Sequence, residues 1–207
     1  MTRTMAISIY AMKSYQNDHE VFVGTVDAVD FIDNSNWKVD RFEPEKQRKS
    51  GSHSGYQRGT TQRKVDDFQR YMKKSANFTP SSLYLNIRDT DADKVKKTNV
   101  HSGAELYKIT IPDHTKIWVV DGQHRLEGLE KMLDISDDPD IEIPILLTIG
   151  VKRSEEMFQF VTMNRARANV KVDLAERNLA NTMRKDKQFK MDIMQRDSSF
   201  KDTISAI

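Results

Sequence analysis

Residues 117–126 read Ile-Trp-Val-Val-Asp-Gly-Gln-His-Arg-Leu, and the pattern of this stretch changes in its middle. The apolar, β-branched run over 117–120 predicts a buried strand, whereas apolar side chains over 126–133 recur at helical spacing. Asp121 and Gly122 stand between the two patterns and are typical of a turn. The stretch therefore predicts a strand, a tight turn and a helix, with a polar cluster in the first helical turn.

The polar cluster has the chemistry of a phosphate site. Gly122 can adopt a positive φ or let a ligand approach the backbone, and the first turn of a helix carries N–H groups with partial positive charge. Arg125 offers a fork of donors to phosphate oxygens, while Gln123 both donates and accepts. His124 can move a proton, and Asp121 can cap the helix, orient His124 or hold a metal ion. The alternative is an ordinary Asp-Gly turn with a solvated Arg125.

The remaining pattern predicts an α+β domain, because strands and helices are interleaved without a regular βαβ rhythm. Residues 89–102 are predicted to form a charged loop. Two hairpins are expected, one with its turn at 14–18 and one around Pro112-Asp113-His114. The predicted strands cover residues 5–12, 20–29, 83–87, 106–111, 116–120 and 143–149. The predicted helices run from Thr60 or Thr61 to about Ala76-Asn77, over 126–133, from a cap at Ser154 to about Asn164, and from about Asp173, with another around Phe189 to Met194.

The segment from Glu43 to Lys64 is basic and nearly free of apolar residues. It contains six basic residues against two acidic ones, together with glycine and serine. This composition is typical of a solvated surface loop, and it also suits a flap that closes on a polyanion. The basic residues are Lys46, Arg48, Lys49, Arg58, Arg63 and Lys64.

Composition narrows the class of protein. With 37% hydrophobic and 31% charged residues, the chain has no apolar run long enough to span a bilayer and no secretory signal, so we expect a cytoplasmic protein. The absence of cysteine excludes disulfides, thiolate metal sites and cysteine nucleophiles. The histidines lack metal-ligand spacing, so no metal site is expected. The net charge of +2 means that any nucleic-acid surface is local.

The string Val-Asp-Gly-Gln-His-Arg-Leu-Glu-Gly over 120–128 resembles the signature of the DGQHR-domain family, which includes DndB-type and DpdB-type proteins. Residues 109–113 and 160–164 also resemble that family's pattern, so the resemblance covers roughly residues 5–180. Members belong to systems of DNA phosphorothioate or deazaguanine modification and of phage defence. The resemblance implies a mixed sheet with flanking helices, similar to ParB and sulfiredoxin.

Two motifs of ParB-like nucleotide-binding domains have partial counterparts in this chain. Gly122 and Arg125 match the ends of Gly-Glu-Arg-Arg, and Asn164 and Arg167 match Glu-Asn-Ile-Gln-Arg. Gln123 and Met163 stand where the two glutamates would be, so the resemblance implies nucleotide binding more than hydrolysis. Sulfinic-acid repair, the sulfiredoxin reaction, is excluded because the chain has no cysteine.

The implied site draws on both clusters, which we expect to meet at one edge of the sheet. Alternatively, Arg165 and Arg167 are a solvated helix end that complements the helix dipole. The implied nucleotide ligands are Gly122, Gln123, Arg125, Asn164 and Arg167, with Asp121 and His124 as catalytic candidates. The implied nucleic-acid contacts are Lys46, Arg48, Lys49, Arg58, Arg63, Lys64 and Arg165.

The sequence predicts a domain over 1–170, followed by a helical segment over 171–207 that ends the chain or starts a longer helical region. Two functions remain open for this chain. In the first, the domain binds a nucleoside triphosphate, with or without Mg²⁺ and hydrolysis, in a DNA-modification or phage-defence system. In the second, it is a DNA-binding regulator of a phosphorothioation-type operon without catalysis. A nuclease resembling ring nucleases ranks third. The expected partners are nucleotide, DNA and other proteins of the system, with no membrane, and homo-oligomerisation is left open.

Overall fold

Strands and helices are interleaved irregularly in the computed structural model, which describes residues 6–42, 55–74, 78–79, 81–133, 141–166 and 173–196. The strands are β1 Ile7–Gln16, β2 His19–Asp27, β3 Asn36–Lys38, β4 Leu83–Ile87, β5 Lys96–Asn99, β6 Leu106–Ile111, β7 Lys116–Asp121 and β8 Glu142–Ile149. The helices are α1 Ala28–Asn34, α2 Gln62–Met72, α3 Gln123–Leu133, α4 Arg153–Ala166, α5 Asp173–Lys185 and α6 Lys187–Arg196, with a 3-10 helix at Asp89–Lys94. The expected α+β class is confirmed.

The described strands form one mixed sheet of eight, in the order β3-β7-β4-β8-β2-β1-β6-β5. β3 pairs with β7 and β4 with β8 in parallel, and the other neighbours are antiparallel. The hairpin of β1 and β2 is confirmed, with Asn17 at φ 52° in its turn. Asparagine tolerates this left-handed conformation better than most residues.

The second predicted hairpin is wrong. β6 and β7 follow one another in the chain, but four strands lie between them in the sheet. Flat strands about 4.8 Å apart would separate β6 and β7 by about 24 Å. The chain from Ile111 to Lys116 reaches at most about 18 Å. The sheet must therefore curve strongly, so that Pro112 to Thr115 can connect its distant strands.

The curved sheet encloses a hydrophobic core on one face. α1 and α3 pack against that face through Phe31, Leu126 and Leu129, and α2 contributes Phe68 and Met72 at its edge. The sheet contributes alternate side chains from its central strands, as half-buried strands should. These include Ile9, Phe22, Leu85, Ile109, Val119, Ile145 and Leu147.

The chain divides into two compact units. The first comprises residues 1–39 and 60–151, and the second residues 40–59 and 152–207. The second has its own core, in which Tyr56 packs with residues of α4, α5 and α6 such as Val161, Leu179 and Ile193. The division expected at residue 170 stays a prediction.

Several predicted boundaries differ from the structure. Residues 89–102, expected to be a loop, contain the 3-10 helix and β5. The strand predicted to reach residue 29 ends at Asp27, which caps α1 by accepting the Asp30 N–H at 2.8 Å. The helix after Thr61 ends at Met72, while Ala76-Asn77 lie outside the described residues.

The helix predicted to follow Ser154 is confirmed as α4, with limits that differ by one or two residues from the prediction. The helix begins at Arg153 rather than at a Ser154 cap, and the Glu156 N–H donates to the Lys152 carbonyl at 2.9 Å. It continues past Asn164 to Ala166. Among the described residues, no helix is long and apolar enough to cross a bilayer.

Candidate functional site

The predicted strand, turn and helix are confirmed at Asp121 to Gln123. β7 ends at Asp121, Gly122 adopts φ +97°, and α3 begins at Gln123. The Gly122 carbonyl accepts the N–H groups of Arg125 and Leu126 at 2.9 and 3.0 Å, which starts the helix. The first turn of α3 therefore lies directly after the C-terminal end of the buried strand β7.

Gly122 is required here for two physical reasons. Its positive φ is a conformation that L residues rarely adopt. A Cβ at this position would also press on the Leu83 side chain and lie 2.9 Å from Nη2 of Arg125. The space that a ligand could have used beside the glycine is thus bordered by Leu83 and by the guanidinium.

Arg125 is held by backbone carbonyls of the segment before β4. Its guanidinium donates to the carbonyl oxygens of Ser81 and Ser82, the latter at 3.1 Å. Nη2 also lies 3.4 Å from the Asp121 carboxylate, and both side chains are mostly buried. The guanidinium is consequently fixed in position at the turn, rather than solvated as the alternative required.

His124 connects the turn to the start of α2. Its Nε2 accepts the backbone N–H of Thr61 at 3.1 Å. An accepting Nε2 means that the ring is neutral and carries its proton on Nδ1. Thr61 is the N-cap position of α2, as the sequence predicted, and its side chain makes no capping hydrogen bond. The hydrogen bond therefore brings the N-terminus of α2 beside that of α3.

α2 and α3 pack side by side in the same direction. At the middle, a Cβ on Gly128 would meet the Phe68 ring at 2.9 Å and the Val65 carbonyl oxygen at 3.0 Å, so the helices are in close contact. Near the C-terminal ends, Gln69 Nε2 donates to the Lys131 carbonyl at 2.9 Å. Both helix dipoles thus have their positive ends at the Gly122 turn.

An ion pair also connects the two helices. The Lys131 ammonium donates to Asp66 Oδ1 at 3.0 Å, and Gln62 Nε2 donates to the same oxygen at 2.7 Å. These hydrogen bonds, that of Lys131 first, lower the pKa of the Asp66 carboxyl below its usual 3.8. Both side chains of the ion pair are more than one third exposed, so its contribution is screened by solvent.

Exposed basic side chains lie at the same end of the α2–α3 pair as the Gly122 turn. Arg63 and Lys64 are exposed in the first turn of α2, and Arg63 Nε lies 3.8 Å from Asp67. Gln123 is half-buried, and its Oε1 is fully buried. The structure thus gathers Asp121, Gly122, Gln123, His124, Arg125, Arg63 and Lys64 around two helix N-termini.

The other predicted ligands belong to the second unit. Asn164 is 8% exposed, and its Nδ2 donates to the Phe160 carbonyl of the preceding turn at 2.7 Å. Arg58 is exposed. The Arg165 side chain lies outside the described part of the chain, as do Lys46, Arg48, Lys49 and Arg167. The meeting of the Asn164 cluster with the Gly122 turn stays a prediction.

The second unit contains a buried polar cluster that the sequence did not reveal. The Tyr56 hydroxyl donates to Glu156 Oε1 at 2.8 Å, and both side chains are almost completely buried. Arg153 donates to both Asp40 oxygens, at 2.7 and 3.2 Å. No short motif joins these positions, which are far apart in the chain. Among the described residues, no group of three or more acidic or histidine side chains could hold a metal ion.

A family model described as DndB, DNA-sulfur modification-associated, matches residues 9–207, nearly the whole chain. No curated protein and no solved structure matches the chain.

Proposed function

Because the chain belongs to the DndB family of DNA-sulfur modification-associated proteins, we propose that it serves such a system by binding a nucleoside triphosphate at the paired N-termini of α2 and α3. Membership confirms the DndB-like part of the resemblance, whereas the likeness to ParB and sulfiredoxin stays a prediction. The family fixes the setting, a DNA-modification system. Nucleotide binding goes beyond what family membership shows.

The proposal rests on the hydrogen bond from the Thr61 N–H to His124 Nε2 at 3.1 Å. This contact joins two helix N-termini, each of which favours anions through its N–H groups and its dipole. Arg63 and Lys64 add two exposed positive side chains at the same place. A triphosphate carries several negative charges within a few ångströms and matches such a cluster better than a single carboxylate does.

Each residue of the turn then has a role. Gly122 permits the turn that presents the first N–H groups of α3, and Arg125, fixed by Ser81 and Ser82, presents a guanidinium of defined orientation. His124 positions the start of α2. Asp121 is the carboxylate of the turn that could face a Mg²⁺ ion carried by the phosphates, but its contact with Arg125 favours an orienting role. Binding is therefore proposed, and hydrolysis is not part of the proposal.

Calorimetric titration with ATP, CTP and GTP, with and without Mg²⁺, tests the site. We expect R63Q/K64Q to weaken triphosphate binding about ten-fold, because it removes two positive charges near the phosphates. The control is K73Q/K74Q, which changes the same charges at the other end of α2, where both lysines are exposed. Arg125→Ala is a poorer test, since it also removes the contacts with Ser81 and Ser82.

The triphosphate site is rejected if no nucleotide binds in the calorimeter. It is also rejected if R63Q/K64Q and K73Q/K74Q bind nucleotide equally well, because positive charge at either end of α2 would then have the same effect. Inorganic triphosphate is titrated in parallel. If it binds like ATP, the phosphates alone are recognised, which supports the helix ends as the contact.

A second candidate function is duplex DNA binding by a regulator without catalysis. The observation that favours it is the exposure of Arg63 and Lys64 in the first turn of α2, which suits contacts with a phosphate backbone. Anisotropy of a labelled duplex should then give an affinity that falls with salt, at a log–log slope of about −0.9 for each neutralised phosphate. An affinity that does not change with salt removes this candidate.

A further inference from the structure

One part of the sheet exposes apolar side chains on the face turned away from the core. Ile9 and Ala11 of β1 point into the core, so the alternating residue Tyr10 and its neighbour Met12 point outward. Tyr10 is 56% exposed, and Met12 and Val23 are 49% exposed. Met12 lies directly opposite Val23 on β2, so these side chains form one continuous patch.

Strand register extends this patch with hydroxyl and ammonium groups. Tyr10 lies opposite Lys108 of β6, and Lys108 lies opposite Thr98 of β5. The Lys108 ammonium is 5.9 Å from the centroid of the Tyr10 ring. The neighbouring row brings together Ser8, Thr110 and Lys96. We call the patch over β5, β6, β1 and β2 the outer face; it consists of Ser8, Tyr10, Met12, Val23, Thr25, Lys96, Thr98, Lys108 and Thr110.

Over β5, β6 and β1 the outer face has two lysines and no carboxylate. On the neighbouring strand β8, the exposed Glu142 lies on the same side of the sheet, opposite Asp27 at the end of β2. Glu20 of β2 lies on the opposite face, where its oxygen is 2.5 Å from the Lys97 ammonium. Asp27, at the end of β2, caps α1. Docking of a second copy through the part over β5, β6 and β1 would bring lysines together on strands that carry no acid on this face, which is unfavourable. Charge complementarity therefore selects an anionic partner.

We propose that the outer face binds single-stranded DNA, with a base stacked on Tyr10 and the backbone held by Lys96 and Lys108. Aromatic side chains on an open sheet accept any unpaired base, and lysines beside them neutralise phosphates. Met12 and Val23 offer apolar contact to a second base. α2 and α3 pack on the core side of the same sheet, so this surface is distinct from the helix N-termini and does not depend on the proposed triphosphate site.

The width of the outer face favours an unpaired strand over a duplex. Four strands about 4.8 Å apart extend about 14 Å from the first to the last. The major groove of B-DNA is about 12 Å wide and admits a helix or a two-stranded ribbon. A four-stranded face cannot enter it, and the bases within a duplex are not free to stack on Tyr10.

Fluorescence anisotropy of a labelled oligothymidylate tests the proposal on the full chain. We expect Tyr10→Thr, which keeps the β-propensity and removes the ring, to weaken binding about ten-fold. Tyr10→Phe keeps the ring and should bind like the wild type. The matched control is Tyr15→Thr, because Tyr15 is 65% exposed on the same strand but lies beside Lys13 on the opposite face. K96Q/K108Q should reduce the salt slope by about 1.4, or 0.7 for each contact with a single strand.

Several results would overturn the proposal. One is Tyr10→Thr binding oligothymidylate as tightly as the wild type while circular dichroism shows the same fold. A second is a duplex of equal length that binds as tightly as oligothymidylate and loses affinity in Tyr10→Thr to the same extent. A third is a polyglutamate peptide that behaves in this way. Loss of oligothymidylate binding in R63Q/K64Q but not in Tyr10→Thr would mean that the DNA binds at the helix N-termini instead of the outer face. The triphosphate titrations are independent of all these outcomes.

Discussion

At the residue scale, Gly122 combines a backbone requirement with a packing requirement. Its φ of +97° is costly for any other residue, and a Cβ there would press on Leu83 and Arg125. Gly103 has nearly the same φ, +92°, but a Cβ there would meet nothing within 4 Å. The two glycines therefore allow the two requirements to be measured separately.

We expect Gly122→Ala to destabilise the protein more than Gly103→Ala does. The left-handed conformation costs alanine about 1–2 kcal/mol at either position. Overpacking at Gly122 adds about 1–3 kcal/mol. Thermal unfolding should show a difference between the variants of several degrees, at about 2–4 °C for each kcal/mol in a chain of this size. Equal melting temperatures would mean that Leu83 and Arg125 move away at no cost.

The sequence shows which residue types form the turn but not what they contact. Gly122 and Arg125 were assigned to the turn from the Asp-Gly step and the change in periodicity. Their positions follow from the predicted strand and helix. The atoms that hold Arg125 and His124, however, are the backbone carbonyls of Ser81 and Ser82 and the N–H of Thr61. Backbone groups are the same in every residue, so no sequence pattern marks them.

At the element scale, the ion pair of Asp66 and Lys131 links α2 to α3 and makes their packing depend on pH. The pKa of Asp66 is lowered in the folded protein, chiefly by the hydrogen bond from Lys131. A lowered pKa stabilises the folded state above the unfolded pKa, and this contribution is lost as the pH falls through the folded value. The window for this loss therefore begins near 3.8 and extends below it.

We expect Asp66→Asn to lower the melting temperature near neutral pH and to have no effect well below pH 3.8. Melting curves of wild type and variant across this range give the difference directly. The control is Asp93→Asn, which changes an exposed acid in the 3-10 helix. If the gap between wild type and Asp66→Asn stays constant down to low pH, the ion pair is not its cause.

Element types were predictable from the sequence where periodicity was long and strong. β8 and α3 have clear apolar patterns, and both were found. β5 reads Lys-Lys-Thr-Asn, is exposed throughout and forms an edge strand, so it gives no hydrophobic signal. β6 and β7 are separated in the sheet because each pairs with strands that are distant in the sequence. The turn at Pro112 has the same sequence pattern whether the strands around it form a hairpin or lie apart. Local pattern therefore gives the elements, while their order in the sheet depends on long-range pairing.

At the scale of the whole molecule, two cores are built from different parts of the chain. The core of the first unit includes the fully buried Leu147, and that of the second includes the fully buried Ile193. In the second, the Tyr56 ring lies 5.2 Å from that of Phe160, although the two residues come from different segments. The sequence could not predict this division, because residues 40–59 lack an apolar period that would link them to the late helices.

Separate cores predict separate responses to cavities. Leu147→Ala and Ile193→Ala each remove a fully buried side chain and should cost about 2–5 kcal/mol. Since each core cluster contains residues of its own unit alone, we expect Leu147→Ala to speed amide exchange in β2 and β8 and Ile193→Ala to speed it in α4 and α5. Hydrogen-exchange mass spectrometry of the two variants measures this. Ser8→Ala, on the exposed side of β1, is the control and should leave both patterns unchanged. Exchange that rises equally in both units for either cavity would show that the chain unfolds as one cooperative unit.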